Sequence, residues 1–247
     1  MPGIIIEVCC YNLESAINAQ EAGADRIELC ADRYHGGTTP SYGTMEVVRS
    51  RVKLPVFVMI RPRGGDFLYA REELDVMAHD IQMAKELGFN GVVMGVLKSD
   101  GAIDIEVMKH LIALARPLNV TFHRAFDLTP DPIKSMQELV SLGVDRLLTS
   151  GQHRSAFEGR DIIKTLVGLT EGKLEILPGA GITEDNVHEL LRHTGVREIH
   201  VSASGTRASL MKFKTQEVLM GDNDSEYSVD VADKDRIRRF RELVDSA

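Results

Sequence analysis

The stretch Glu21-Ala22-Gly23-Ala24-Asp25-Arg26-Ile27 decides the fold, because three later stretches of the 247-residue chain resemble it. They are Glu86-Leu87-Gly88-Phe89-Asn90-Gly91-Val92, Ser141-Leu142-Gly143-Val144-Asp145-Arg146-Leu147 and His193-Thr194-Gly195-Val196-Arg197-Glu198-Ile199. Each central glycine suits the left-handed residue that ends a helix, and an apolar run follows it at once. The four glycines are 65, 55 and 52 residues apart, so each interval has room for two strand–helix units.

Working outward from these stretches, we find eight short apolar runs that are typical of buried parallel strands. They cover residues 4–10, 26–30, 55–60, 91–96, 120–123, 146–149, 174–177 and 198–201. Helical stripes lie between them, as in Leu74, Met77 and Ile81, and Asp131 before Pro132 predicts a helix N-terminus. Strand alternating with helix eight times predicts a single (β/α)8 TIM-barrel domain over residues 1–247.

A doubly wound open sheet is the alternative fold. It requires a glycine-rich turn after the first strand, and Cys9-Cys10-Tyr11-Asn12 is not such a turn. An extended segment, residues 203–230, separates the eighth strand from the last helix. Loops of this length are often functional, but its composition, including Met211 and Met220, favours a partly ordered surface insertion.

Composition excludes several classes of function. The chain has 29 basic and 37 acidic residues, a net charge of −8, and without a basic run it predicts no nucleic-acid partner. The longest apolar run, residues 54–60, is far shorter than the roughly 20 residues of a membrane span. With three cysteines and no secretory pattern at the N-terminus, we expect reduced thiols and a cytoplasmic location.

Two Glu-x-Cys pairs lie at the carboxyl ends of the first two strands, where barrels of this kind place their sites. Side chains alternate along a strand, so Glu7 and Cys9 share one face, as do Glu28 and Cys30, while Cys10 points away into the packing. If both faces point into the barrel, Cys9 and Cys30 are candidate ligands for a soft metal ion such as Cu(I) or zinc. A packing role for these cysteines stays open, because alternate strands contribute different layers and the two thiols need not share one height.

A second group of residues indicates an anionic ligand. Gly179, Gly181, Ser202 and Ser204 follow strands seven and eight, where barrels often bind phosphate through backbone amides, although tight turns would also need these glycines. Basic residues collect at the same rim of a net-acidic chain, which favours an anionic small molecule, although each could instead form a rim salt bridge. The ligand-binding candidates among them are Arg61, Arg63 and Arg124. His123 could act as acid, base or ligand, with Asp127 or a glutamate to orient it, and Glu7 or Glu28 could serve as general base.

Seven strings of the chain stand out together. They are Glu7-Val8-Cys9, Arg26-Ile27-Glu28-Leu29-Cys30, Gly36-Gly37-Thr38-Thr39-Pro40-Ser41, Ile60-Arg61-Pro62-Arg63-Gly64-Gly65-Asp66, Thr121-Phe122-His123-Arg124-Ala125-Phe126-Asp127, Leu148-Thr149-Ser150-Gly151 and Gly179-Ala180-Gly181. In these strings the chain resembles the CutC family. The resemblance covers nearly the whole chain, and the family is named for copper homeostasis. It implies a TIM barrel, a cytoplasmic homodimer, and Cu(I) binding through two cysteines that match Cys9 and Cys30.

Two functional hypotheses follow. The first is a copper homeostasis protein of the CutC type that binds Cu(I) through its barrel-mouth cysteines. The alternative is a TIM-barrel enzyme that acts on a small anionic, phosphorylated metabolite at the C-terminal face of the barrel. Neither hypothesis calls for an organic cofactor, a membrane or a nucleic acid.

Overall fold

Strand and helix alternate as the repeated glycine stretches predict. The computed structural model describes residues 3–215, 217–218 and 226–246, and within them eight parallel strands form one sheet. The strands are β1 (Ile5–Cys10), β2 (Arg26–Leu29), β3 (Val56–Met59), β4 (Gly91–Met94), β5 (Asn119–Phe122), β6 (Arg146–Thr149), β7 (Glu175–Pro178) and β8 (Glu198–Val201). The helices are α1 (Leu13–Glu21), α2 (Tyr42–Arg51), α3 (Arg71–Glu86), α4 (Ile105–Ala115), α5 (Pro132–Leu142), α6 (Arg160–Thr170), α7 (Val187–Thr194) and α8 (Lys234–Asp245).

The sheet curls into a nearly closed barrel. Its strand order is β7-β6-β5-β4-β3-β2-β1-β8, so consecutive strands are neighbours throughout and β8 pairs with β1. β7 and β8 lie in contact where the two edges of the sheet meet. The TIM-barrel prediction is therefore confirmed, and the carboxyl ends of all eight strands meet at one mouth.

The helix ends follow the chemistry of the sequence. Asp131 caps α5 by accepting hydrogen bonds from the amides of Ile133 and Lys134, with Pro132 in the first turn. Gly143 ends the same helix with a φ of 71°, a left-handed conformation that glycine adopts without steric cost. The next residues enter β6 directly, so the glycine sets where the following strand begins.

The segment between β8 and α8 forms a small antiparallel sheet in its described part. It contains two antiparallel strands, β9 (Ser204–Ala208) and β10 (Ser228–Ala232). The side chain of Asn12 donates to the Asp230 carbonyl at 2.8 Å, which ties β10 to the start of α1. Met211 is exposed, and Met220 lies outside the described residues. No helix in the described part of the chain is long and apolar enough to cross a membrane.

Candidate functional site

Two thiols and one carboxyl group meet just inside the barrel mouth. The Sγ atoms of Cys9 and Cys30 are 4.0 Å apart. Oε2 of Glu28 lies 3.3 Å from each sulfur and accepts a hydrogen bond from either thiol. All three side chains are buried, so the expectation that both Glu-x-Cys faces point inward holds. These three groups offer ligand atoms close enough to hold one metal ion.

The two thiols converge although they do not share one height on the strands. In the ladder between β1 and β2, Cys9 is opposite Glu28, which places Cys30 two residues further toward the mouth. The sulfurs meet because the Glu28 carboxyl group lies between them and accepts from both. The difference in height between Cys9 and Cys30 therefore does not keep their sulfurs apart, and their meeting favours a shared site over a packing role.

The third cysteine is different. Cys10 is fully buried in the main apolar core between barrel and helices, on the opposite face of β1 from Cys9. Burial raises the pKa of the Cys10 thiol well above its usual range, so this thiol stays protonated. It is a packing residue, as the alternation of side chains along the strand predicts.

The loop that contains Gly37 covers the Cys30 thiol. Gly37 has a φ of 94°, and a Cβ built there would lie 3.2 Å from the Cys30 sulfur. The backbone of this loop therefore approaches the thiol more closely than a side chain would allow. Cys30 is 1% exposed, whereas Cys9 is 6% exposed and borders the cavity above.

His200 joins the cluster from β8. Its Nδ1 lies 2.8 Å from Oε1 of Glu7, and its Nε2 lies 3.8 Å from Oε2 of Glu28. Burial works against charge on this ring, but Glu28, Cys9 and Glu7 raise the pKa of His200 well above its usual range. A protonated His200 therefore balances negative charge on the sulfurs and carboxylates.

The protonation states of Glu7, Glu28 and Cys9 depend on their charged neighbours in the cluster. Burial would raise the pKa of Glu7, but Arg26 and His200 lower it to about 2, so Glu7 is ionised. Burial and the nearby Cys9 raise the pKa of Glu28 well above its usual range. The hydrogen bond with Cys30 lowers the pKa of Cys9 despite burial. Burial and Cys9 raise the pKa of Cys30, so Cys9 is the thiol of the pair that ionises more readily.

Below the thiols, an ion network fills the barrel. Arg26 donates to Glu7 at 2.5 Å and also pairs with Glu198. Arg146 donates to Glu198 at 2.5 Å, and the guanidinium groups of both arginines lie over the ring of Phe57, at 5.1 and 5.2 Å from its centroid. This network fixes the orientation of Glu7, because that carboxylate bridges Arg26 below to His200 above.

A cavity of about 410 Å³ opens above the thiols. Of the residues that the sequence singled out, those lining it are Cys9, Glu28, Arg61, His123, Arg124, Asp127, Gly181 and Ser202. Met59, Phe67, Leu148 and Ile182 add apolar surface. The volume falls in the range of small-molecule sites.

Asp127 organises the mouth and does not orient His123. Its carboxylate accepts from the Thr149 hydroxyl at 2.5 Å, from the Ser150 hydroxyl at 2.8 Å and from Arg124 at 2.8 Å. It therefore holds the loop after β6 against β5. The expectation that Asp127 could orient His123 is not met, because Nδ1 of His123 accepts from the Ala125 amide instead.

Other predicted ligand residues have structural partners. Arg63 lies outside the cavity lining and donates to Glu73 at 2.6 Å. A Cβ on Gly179 would lie 2.6 Å from Leu148, so this glycine allows close packing. Ser204 begins β9 and does not line the main cavity; it lines a small neighbouring cleft together with Ser202 and Cys9.

The sequence reasoning missed His200. It lies within β8, whereas the candidate basic residues were those that follow the strand ends. The signal was its spacing, because His200 lies two residues before Ser202 and shares the inward face of β8. In the ladder it is directly opposite Glu7.

Comparison with known proteins agrees with this geometry. The CutC family model matches residues 4–205. A relative from Homo sapiens named copper homeostasis protein cutC homolog is 50% identical over 244 residues, which cover 98% of this chain and 89% of the relative. A CutC family protein from Histophilus somni is 43% identical and covers 96% of this chain and 98% of its own length.

Solved structures agree on the fold. The structure of CutC from Streptococcus agalactiae matches with a TM-score of 0.77 at 37% identity, covering 81% of this chain and 98% of that one. Thiamine phosphate pyrophosphorylase from Pyrococcus furiosus matches with a TM-score of 0.61 at 16% identity, covering 98% of this chain and 96% of that one. At that identity the second match shows a shared barrel fold alone.

Proposed function

This chain belongs to the CutC family, and from that premise we propose that it is a copper homeostasis protein that takes Cu(I) as cargo between Cys9 and Cys30. The observation that carries the proposal is the meeting of two buried sulfurs, 4.0 Å apart, at the mouth of the barrel. Thiolates are soft ligands that select Cu(I) over hard cations.

The groups around the sulfurs fit such a cargo. A thiol must lose its proton to bind a metal ion, and Glu28 lies 3.3 Å from both sulfurs as the nearest acceptor. Its second oxygen, Oε1, is buried with no hydrogen-bond partner in the described part of the chain, so it is available as a further oxygen donor at this site. His200 supplies positive charge beside the thiolates.

An anaerobic Cu(I) competition titration against a strong chelator tests the proposal. We expect one Cu(I) per chain in the wild type. Cys9→Ser and Cys30→Ser should each weaken binding on the order of 100-fold or more, because each removes one of two thiolate ligands. Cys10→Ser is the matched control, since Cys10 lies on the other face of the same strand.

The outcomes separate a direct from an indirect copper role. Retained affinity in either the Cys9→Ser or the Cys30→Ser variant would refute the two-thiolate site. Equal loss in a Cys10→Ser variant with an intact barrel would also refute it, because the loss would then not be specific to Cys9 and Cys30. Circular dichroism of all four proteins establishes that the barrel is intact.

The proposal also covers location and assembly. Three free cysteines, two of them in the candidate copper site, suit the reducing cytoplasm. A homodimer is proposed from the family resemblance, and light scattering of the purified chain would measure its mass. A monomer at micromolar concentration would contradict that part of the proposal.

An enzyme that acts on a small anionic metabolite is the second candidate. The observation that favours it is the cavity, which Glu28 and His123 line while each keeps one buried polar atom without a partner in residues 3–215, 217–218 and 226–246. Incubation with a set of sugar phosphates, followed by phosphorus NMR, tests this role. No change in any spectrum would count against catalysis.

A further inference from the structure

The proposed copper site does not account for the buried positive charge of the Arg61 side chain. Arg61 is 5% exposed, and its guanidinium donates to the backbone carbonyls of His35, Gly37 and Gly65 at 2.6 to 2.8 Å. The neutral hydroxyl of Tyr69 also lies beside it. Within the described ranges, no carboxylate oxygen lies within 4.0 Å of its nitrogens. Carbonyl dipoles do not neutralise a full charge, so the cavity that Arg61 lines favours an anion.

His123 supplies a second unused donor. Its Nδ1 accepts from the Ala125 amide at 3.2 Å, so the neutral ring carries its proton on Nε2. Burial and the charge of Arg61 lower the pKa of His123 to about 3, which keeps the ring neutral near pH 7. Nε2 of His123 and Nε of Arg61 are both buried without a partner among the residues that the structure describes. Buried donors are rarely left in this state, and a ligand would satisfy them.

One aromatic ring lies close to both donors. The Phe67 ring lies 4.9 Å from the Arg61 guanidinium carbon and 4.8 Å from the His123 ring centre. Met59 and Ile182 extend this apolar wall of the cavity. An occupant would therefore meet unpartnered N–H donors beside an apolar surface.

Two other arginines near the mouth are less available to bind an anion, because each already has a carboxylate partner. Arg124 is already paired with Asp127 at 2.8 Å, and Arg63 is paired with Glu73 at 2.6 Å. Arg61 differs from both because its charge has no carboxylate partner in the described chain. Arg61 is therefore the arginine of the three that can offer its charge to a ligand.

We propose that this cavity binds a small organic oxyanion, a carboxylate or a phosphate monoester with an apolar body. The oxyanion accepts hydrogen bonds from Arg61 and His123, and the apolar body packs against Phe67. The proposal does not depend on copper, because neither donor belongs to the Cys9 and Cys30 cluster.

Isothermal titration of the full chain with phenyl phosphate and benzoate, without metal, tests the proposal. We expect saturable one-site binding of at least one of them, with a Kd below about 5 mM. Benzamide, a neutral molecule of similar shape, should bind at least tenfold more weakly. His123→Phe keeps an aromatic ring against Phe67 but removes the donor, and it should weaken binding at least tenfold.

Further variants separate the possible outcomes. Arg61→Lys keeps the charge but loses the planar donor set, and we expect at least tenfold weaker binding; if that variant fails to fold, His123→Phe decides. Arg63→Gln is the matched control from the same loop and should bind like the wild type. Failure of both anions to bind, equal binding of benzamide, or unchanged affinity in His123→Phe would overturn the proposal. Cys9→Ser should bind the anions normally, so this result and the copper titration can fail separately.

Discussion

Removing one charge from the ion network inside the barrel should cost several kcal/mol. Glu198 is 5% exposed and is the carboxylate that Arg26 and Arg146 share. Burial would raise the pKa of Glu198, but hydrogen bonds from Arg146 and Arg26 lower it, so the group is ionised at neutral pH. Glu198→Gln keeps the shape of the side chain and removes only the charge.

The size of the effect follows from what remains in the barrel. After the substitution, Arg26 keeps the carboxylate of Glu7, whereas the half-buried Arg146 has no carboxylate within 4.0 Å in the described part of the chain. Breaking a buried ion pair by removing one partner costs about 3 to 5 kcal/mol, because the other charge is left without compensation. A domain's total free energy of unfolding is about 5–15 kcal/mol, so this loss is a large part of it.

Reversible urea unfolding followed by far-ultraviolet circular dichroism measures the change. Glu184→Gln, which breaks a more exposed pair with Arg236, is the control and should cost at most about 1 kcal/mol. The double variant Glu198→Leu with Arg146→Met leaves Arg26 paired with Glu7 and should recover much of the lost stability. A Glu198→Gln cost no larger than that of Glu184→Gln would refute the reasoning.

Three further outcomes are expected. Because the pKa of His123 is lowered to about 3, the unfolded chain binds a proton that the folded chain does not between pH 6.5 and 3. The free energy of unfolding should therefore fall with falling pH, by at most about 1.4 kcal/mol per pH unit, and urea midpoints should show a flatter pH profile for His123→Gln. Gly37→Ala should lower the melting temperature more than Gly88→Ala, because both sites have positive φ but only Gly37 lies against the Cys30 sulfur; equal shifts would contradict the close approach. Asn12→Ala removes the cap of α1 and the link to β10, and it should cost about 1 to 2 kcal/mol in urea unfolding, whereas no cost would mean that water replaces both bonds.

The strands could be predicted because their signals are local. The first strand predicted at residues 4–10 is observed at Ile5–Cys10, and the sixth and eighth have the predicted bounds. A glycine that ends a helix and the apolar run that follows it can both be recognised from a few consecutive residues. The repeat of that unit then implies the barrel, since each strand is buried on both faces by its neighbours.

The site depended on contacts between distant residues, and the sequence predicted it only in part. Alternation along β1 and β2 placed Cys9 and Cys30 on inward faces. It could not give the distance between their sulfurs, which depends on Glu28 lying between them. Arg61 was expected to be available to a ligand, yet two of its guanidinium nitrogens are held by loop carbonyls that follow β2 and β3. Such partners have no spacing rule in the sequence.

The candidate copper site and the candidate anion site open to the same cavity, so the charge of that cavity affects both. Cys9 borders the cavity, whereas Cys30 lies beneath the Gly37 loop. Cu(I) that entered the proposed site through the mouth would therefore meet Cys9 before Cys30. Arg61 lines the same cavity, and its positive charge repels a free cation. Cu(I) that arrives with anionic ligands would be attracted where the bare ion is repelled, so the charge of the mouth favours delivery of copper as a complex with net negative charge.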